Sequence, residues 1–400
     1  MQNPLQVNIL DSLLQANPQY FKEIIAQKDT LHVQLIYTQI NRDEHNQPHF
    51  TDYLFNVNKN HYFYPASTVK MPVALLSLEK LNRLNIPGVT KFSPMVTDTS
   101  STGESEAPSH YSVNDSTPTI AHYAKQIFLV SDNNAFNRLY EFMGQETIQQ
   151  QLAAKGYPNA EIRHRLEVRL NDEQNRRTNA IHFYDTSGKL LYQQPAQYSK
   201  AIFAPKNIQL GKGYISNGQQ VNTPFNFSLK NKLHLEDLHH MLRSVIFPEA
   251  VPVQQRFNLT KEDYDFIYRY MSAYPNESRY PSYDTANYNQ AYVKFILFGA
   301  QKNAAIPSTL RIFNKVGDAY GFLTDVAYVV DFTNHVEFML SASIYCNSDG
   351  IFNDDKYDYE TVGYPFMEHI GQVIYDYELQ RKRAFTPNLD RFIIDYTKEY

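Results

Sequence analysis

At 400 residues the chain is long for one domain and ordinary for an enzyme with two packed halves, and a 42% hydrophobic fraction supplies a sizeable core. The charged fraction of 20% and the formal net charge of -5 exclude a disordered chain and a polyanion-binding surface, so nucleic acid is not an expected partner. A single cysteine, Cys346, excludes an intrachain disulfide and a cysteine-rich metal site, and its neighbours Ala342, Ile344 and Tyr345 predict a buried thiol.

Residues 5 to 28 carry helical spacing that Asn17-Pro18 interrupts, which predicts two short helices. Leu31 to Ile40 and Phe50 to Val57 alternate apolar and polar residues around a polar turn, the pattern of an antiparallel hairpin. Ser67 to Leu84 reads as a long apolar helix, and 86 to 118, with Ser100-Ser101-Thr102-Gly103, as irregular connection. Helical patterning returns over 119 to 130 and 134 to 155.

Ile181 to Tyr192 alternates about a Gly-containing turn, and Asn217-Gly218 marks a second turn, so about 180 to 225 reads as a β-hairpin-rich insertion. Helices are expected over Leu233 to Ile246 and Lys261 to Ala273, the second opened by a capping-box-like Thr260 and Asp263. Lys315 to Asp331 and Val336 to Cys346 read as strands joined at Thr333-Asn334, and a last amphipathic helix covers Pro365 to Arg381.

Strands at both ends with helices between them give an α+β layout in which the termini build one antiparallel sheet. The expected division is 1–60 with 300–385 as the sheet lobe, 61–299 as a helical lobe and 386–400 as a charged tail. There is no apolar run long enough to span a bilayer, and Met1-Gln2-Asn3-Pro4 lacks the basic start and apolar core of a signal peptide. The expectation is a cytosolic protein or a mature chain whose signal was removed. The 31 Tyr and 25 Phe, with no Trp, suit core packing and half-exposed surfaces, including Tyr280-Pro281-Ser282-Tyr283.

Four short segments carry the chemistry. Ser67-Thr68-Val69-Lys70 follows Pro65, so Ser67 is expected at a helix N-terminus with Lys70 one turn on along the same face. A second S-x-x-K, Ser77-Leu78-Glu79-Lys80, lies inside the apolar helix and reads as an ordinary helix residue with a solvated lysine. Ser131-Asp132-Asn133 closes one helix and serves equally as a cap for the next. Glu167 and Asn171 pair a carboxylate with an amide, suited either to holding a water or, for Glu167, to a surface salt bridge with Arg165 or Arg169. Lys315-Val316-Gly317 sits in a predicted strand, where Gly permits close backbone approach and Lys supplies a fixed charge. His234, His239 and His240 lack a metal-binding pattern and read as solvated or capping, and the acidic stretch 349–355 misses calcium-loop spacing. No metal or cofactor is expected.

In this order the segments resemble the S-x-x-K, S-D-N, base-glutamate and K-T-G set of class A β-lactamases and penicillin-binding proteins. Arg165-Leu166-Glu167-Val168-Arg169-Leu170-Asn171 is similar to the R-x-E-x-x-L-N of the class A Ω-loop. The resemblance implies a β-lactamase/transpeptidase-like fold and catalysis by Ser67, Lys70, Ser131 and Glu167. Ser131 would relay a proton, and Asn133, Asn171, Lys315, Val316, Gly317 and Asp318 would contact substrate, with Asp132 structural.

The expected substrate is a β-lactam or related amide; alternatives are a peptidoglycan D,D-peptidase or esterase acting on stem peptides, and a non-catalytic cell-wall-binding module. The resemblance also implies a periplasmic or secreted location. Val316 stands where relatives carry a hydroxyl that grips the substrate carboxylate, an interaction worth roughly 1.5 to 3 kcal/mol. Asp318 adds a negative side chain, and both changes disfavour typical β-lactam carboxylates.

Overall fold

Asn17-Pro18 divides the first helical stretch into α1 (Ile9–Ala16), capped by the Asn8 side chain, and α2 (Pro18–Ala26), with Pro18 in its first turn. The chain is seen here as a computed structural model that describes residues 8–98 and 118–398. The expected hairpin forms as β1 (Gln34–Arg42) and β2 (Pro48–Phe55), paired antiparallel with Gln39 opposite Thr51. A 3₁₀ turn, Ala66–Val69, leads into α3 (Lys70–Leu84), which ends on Asn85 in the left-handed region. The irregular connection expected over 86 to 118 contains β3 (Met95–Thr97), and its 99–117 portion, Ser100 to Gly103 included, lies outside the described residues.

Helices α4 (Ile120–Val130) and α5 (Asn133–Met143) follow. The single helix expected over 134 to 155 is broken at Gly144, whose φ of 75° starts α6 (Gln145–Ala154) in a new direction. After the short α7 (Asp172–Asn175) come β4 (Ile181–Tyr184) and β5 (Leu190–Gln194), a hairpin that also pairs with β3. The small strands β6 (Gln209–Leu210), β7 (Gly213–Ser216), β8 (Gln219–Val221) and β9 (Phe225–Asn226) follow. Asn217 and Gly218, both with positive φ, turn β7 into β8. Next are α8 (Leu235–Ile246) and α9 (Lys261–Ser272), the latter with the reciprocal Thr260 and Asp263 capping box. One irregular turn, α10 (Phe295–Phe298), precedes the last strands.

The strand expected from Lys315 to Asp331 is two strands. β10 (Leu310–Ala319) and β11 (Phe322–Asp331) are joined by Tyr320-Gly321, both with positive φ, and β12 (Val336–Tyr345) follows. After β13 (Ile351–Phe352), α11 (Tyr364–Gln380) closes the fold. The five-stranded antiparallel sheet runs β10-β11-β12-β1-β2, so both ends of the chain build it and β10 is left as a free edge. One core cluster packs one sheet face against α3, α4, α5, α8 and α9; the other packs the opposite face against α1, α2 and α11. Cys346 is buried in the second. Among the described residues no helix is long and apolar enough to cross a membrane.

Candidate active site

Pro65 starts the 3₁₀ turn, and Ala66 takes a φ of 45°, a conformation a Cβ-bearing residue adopts only under constraint. Thr68 supplies part of that constraint, donating to the Pro65 carbonyl from its hydroxyl at 2.6 Å and from its N–H at 3.0 Å. Edge strand β10 closes on the same turn at Gly317. A Cβ there would stand 2.6 Å from Pro65 O and 2.9 Å from Ser67 N, so only glycine lets the strand lie this near the proposed nucleophile. Ser67 is half-buried, and Lys70, one turn on, is fully buried behind it.

Ser131 ends α4 in the left-handed region with φ 60°, and Asp132 caps α5 by accepting from Ala135 N at 2.7 Å. The capping reading of this segment therefore holds. The Ser131 hydroxyl lies between two ammonium groups, with Lys315 Nζ at 2.8 Å and Lys70 Nζ at 3.4 Å. Lys70 also donates to the Ser131 carbonyl and, at 2.5 Å, to Asn133 Oδ1. No hydrogen bond joins Lys70 to Ser67 among the described residues. Burial lowers Lys70 to about 7, against the opposing pull of Asp132, Asp318 and Glu167. Burial, and then the Lys70 charge, holds Lys315 well below the usual lysine range. Two cations that share one hydroxyl in a dry setting favour loss of a proton from one of them, which leaves a base and an acid side by side.

The segment bearing Glu167 is anchored by Arg165. This side chain is fully buried, pairs with Glu141 and covers the Tyr140 ring, so it does not make the alternative bridge to Glu167. Glu141 also accepts from Asn179 N, which fastens both ends of the segment to α5. Glu167 has φ 58° and is exposed, and no hydrogen bond or ion pair holds its carboxylate among the described residues. It faces a cleft of about 520 Å³ with Tyr64, His164, Asn171, Lys230 and Tyr320. Asn171, expected to join Glu167 in holding a water, caps α7 through its side-chain oxygen, accepting from Gln174 N at 2.8 Å. Its amide NH₂ is the part that remains for a ligand.

The sequence model of the beta-lactamase enzyme family matches residues 18–377. The chain belongs to that family. Its fold is similar to "Structure of PBP-A", with TM-score 0.52 and 14% identity over 94% of this chain and 97% of that one. It is likewise similar to a beta-lactamase from Sphaerobacter thermophilus, with TM-score 0.51 and 10% identity over 93% and 98% of the two chains. A beta-lactamase from Chitinophaga pinensis gives TM-score 0.50 and 12% identity over 90% and 99%. No curated protein sequence matches the chain.

Within this family frame, four side chains differ from the sequence reading. Val316 is buried and belongs to the core under α11, because strand alternation turns it to the face opposite Lys315. Its side chain is therefore not offered to the groove. Lys80 of the second S-x-x-K is not solvated: it is buried, donates to the Phe142 carbonyl and to Gln194, and faces the Phe142 ring. His239 is neither solvated nor capping, since it is fully buried and bridges Thr38 on β1 and Ser341 on β12. Tyr283 was read only as part of a Tyr-rich stretch. Its buried hydroxyl lacks a hydrogen-bond partner among the described residues, and after burial the largest influence on it is the charge of Asp132.

Proposed function

We propose that the chain is a serine hydrolase that opens amide or ester bonds through an acyl-enzyme on Ser67. The observation that carries this reading is the Ser131 hydroxyl held between Lys70 and Lys315 beside the turn bearing Ser67. In the proposed sequence, Ser67 Oγ attacks the carbonyl carbon and its proton passes to the neutral form of Lys70 or, through water, to Glu167. The oxyanion is met by the N–H groups of Ser67 and Asp318, the close approach of Gly317 bringing turn and strand together. Ser131 gives its proton to the leaving group and is resupplied by protonated Lys70, whose Nζ lies 3.4 Å from the hydroxyl. Water activated by Glu167, with the Asn171 amide at hand, then cleaves the acyl-enzyme.

Class A β-lactamase chemistry and peptidoglycan-peptidase or esterase chemistry share these steps. The exposed carboxylate of Asp318, which has no ion pair among the described residues, favours the second, because a negative side chain next to Gly317 disfavours a substrate carboxylate. In either reading the protein works on the cell envelope, in the periplasm or outside the cell.

Intact-mass spectrometry after exposure to a panel of β-lactams and to peptide esters tests the reading. The expected result is a covalent adduct that decays, that is absent in Ser67→Ala and that persists in Glu167→Ala. A folded Ser67→Ala protein that still takes up label at the same rate overturns it.

A further inference from the structure

Lys230 stands in the cleft beside Glu167, and the proposed mechanism gives it no part. It follows the exposed Leu229 and precedes the fully buried Asn231, whose side-chain oxygen accepts from Arg163 N at 2.7 Å and from His164 N at 3.2 Å. The Asn231 N–H in turn donates to His164 Nε2 at 3.2 Å, so the segment bearing Lys230 is stitched to the one bearing Glu167. Both wall the same cleft of about 520 Å³. Its aromatic side is Tyr64 and Tyr320, with ring centroids 5.1 Å apart. Tyr64 immediately precedes Pro65 of the turn that carries Ser67, and Tyr320 follows β10, whose Gly317 closes on that turn. The cleft therefore adjoins the nucleophile.

The charges on its walls do not cancel. Asp172 is met by Arg163 and Arg176, each at 3.2 Å, and Arg165 by Glu141. His164 is neutral: burial, and then the Lys230 charge, lower it to about 4, and with Nε2 accepting from Asn231 the ring proton is on Nδ1, facing the Arg165 carbonyl at 2.6 Å. Glu167 is then set against two cations, Lys230 and the exposed Arg169, and among the described residues neither cation has an ion pair. Lys230 Nζ donates to the Tyr320 hydroxyl at 3.3 Å and lies over the Phe225 and Tyr320 rings, which holds the ammonium in place and leaves it donors for a ligand.

Under the hydrolase reading, the part of the substrate that lies beside Glu167 is the acyl group, because the water this carboxylate activates attacks after the leaving group has gone. We propose that the cleft selects acyl groups bearing a carboxylate, held by Lys230 Nζ, drawn in by the Arg169 charge and resting on Tyr64, Tyr320 and Leu229. The proposal rests on the Ser67 hydrolase reading and names its substrate class. Asp318 lies outside these walls, so it disfavours an anion beside Gly317 without closing this seat to one.

The test uses a para-carboxyphenylacetyl thioester and its para-carbamoyl counterpart, which differ only in the charge at the far end of the acyl group. Ser67 acylation is followed by intact mass at neutral pH. The wild-type chain is expected to favour the carboxylate about tenfold, the low end for a hydrogen bond to a charged group. Lys230→Met, which keeps the apolar stem, is expected to bring that ratio to about two or below, Lys230→Arg to retain most of it, Arg169→Gln to lower it in part, and about 0.5 M salt to lower it in the wild type. Equal acylation by both thioesters in the wild type, or a preference that survives in folded Lys230→Met, overturns the selectivity and leaves the hydrolase intact. A wild-type ratio that salt does not move overturns it as well, and needs no folded variant. Failure of both thioesters and of every β-lactam to acylate folded wild-type protein removes the hydrolase reading and this inference with it.

Discussion

Val316 separates two accounts of substrate recognition at the level of one side chain. On sequence grounds the missing hydroxyl weakens the grip on a carboxylate; in the fold the side chain is 1% exposed and packed under α11. Val316→Thr should therefore bury a hydroxyl without a partner and destabilise the protein by about 1 to 2 kcal/mol, read as a lowered urea midpoint. Acylation by carboxylate-bearing β-lactams should not improve. A tenfold gain would mean that the residue reaches the groove after all. Sequence alone picked out Ser67, Lys70, Ser131 and Lys315 as candidates because serine acyl transfer calls for those residue types, and the fold brings the last three to one hydroxyl. It misplaced Val316 and Lys80 because burial and facing direction are decided by partners far along the chain. For Lys80 these partners are Phe142 and Gln194.

Elements place the site through one close contact, the edge strand β10 against the 3₁₀ turn. Gly317→Ala adds a Cβ 2.6 Å from the Pro65 carbonyl and 2.8 Å from Thr68 N, two backbone atoms that cannot rotate away. Strand and turn must part, at a cost of about 1 to 3 kcal/mol. Acylation of Ser67 should fall at least tenfold by stopped-flow with a chromogenic substrate, and unchanged acylation would remove the contact from the mechanism. The sequence showed the glycine and its strand but not the strand's limits. β11 is buried along its whole length, and so is β10 up to Gly317. That erases the alternation which marks a strand with one wet face, and the reversal at Tyr320-Gly321 vanishes inside an apolar run. The hairpin β1–β2 was legible because its outer strand keeps exposed positions between covered ones. The helix break at Gly144 passed unnoticed because an isolated glycine is tolerated within helical patterns.

The whole molecule keeps several lysines dry. Burial lowers Lys70, Lys80 and Lys294 each to about 7, and Lys294 Nζ is hydrogen-bonded to Met271 O, Ile312 O and Asn314 Oδ1 instead of to a carboxylate. An unfolded lysine keeps its proton up to about 10.4. Between pH 7 and 9 the unfolded chain therefore binds more protons than the folded one, and stability must rise with pH, by at most about 1.4 kcal/mol per unit for each lysine. Lys315 and Lys206, also lowered by burial, add to the same rise, and the shifted histidines and carboxyls act below the window. His164 and His234 are lowered to about 4 and Asp237 and Asp325 raised to about 6, so all four have titrated below it in both states or nearly so. Buried tyrosines and Cys346, all raised by burial, begin to oppose the rise only as their unfolded counterparts ionise near its top. The thermal midpoint is expected to climb from pH 7 to 9 and level off above, and Lys80→Met should flatten part of the slope without altering Ser67 acylation. A midpoint that is flat or falls over this range would mean that the buried lysines keep their protons in the folded protein. Lys70 would then be charged at neutral pH, and the proton from Ser67 would have to pass to Glu167.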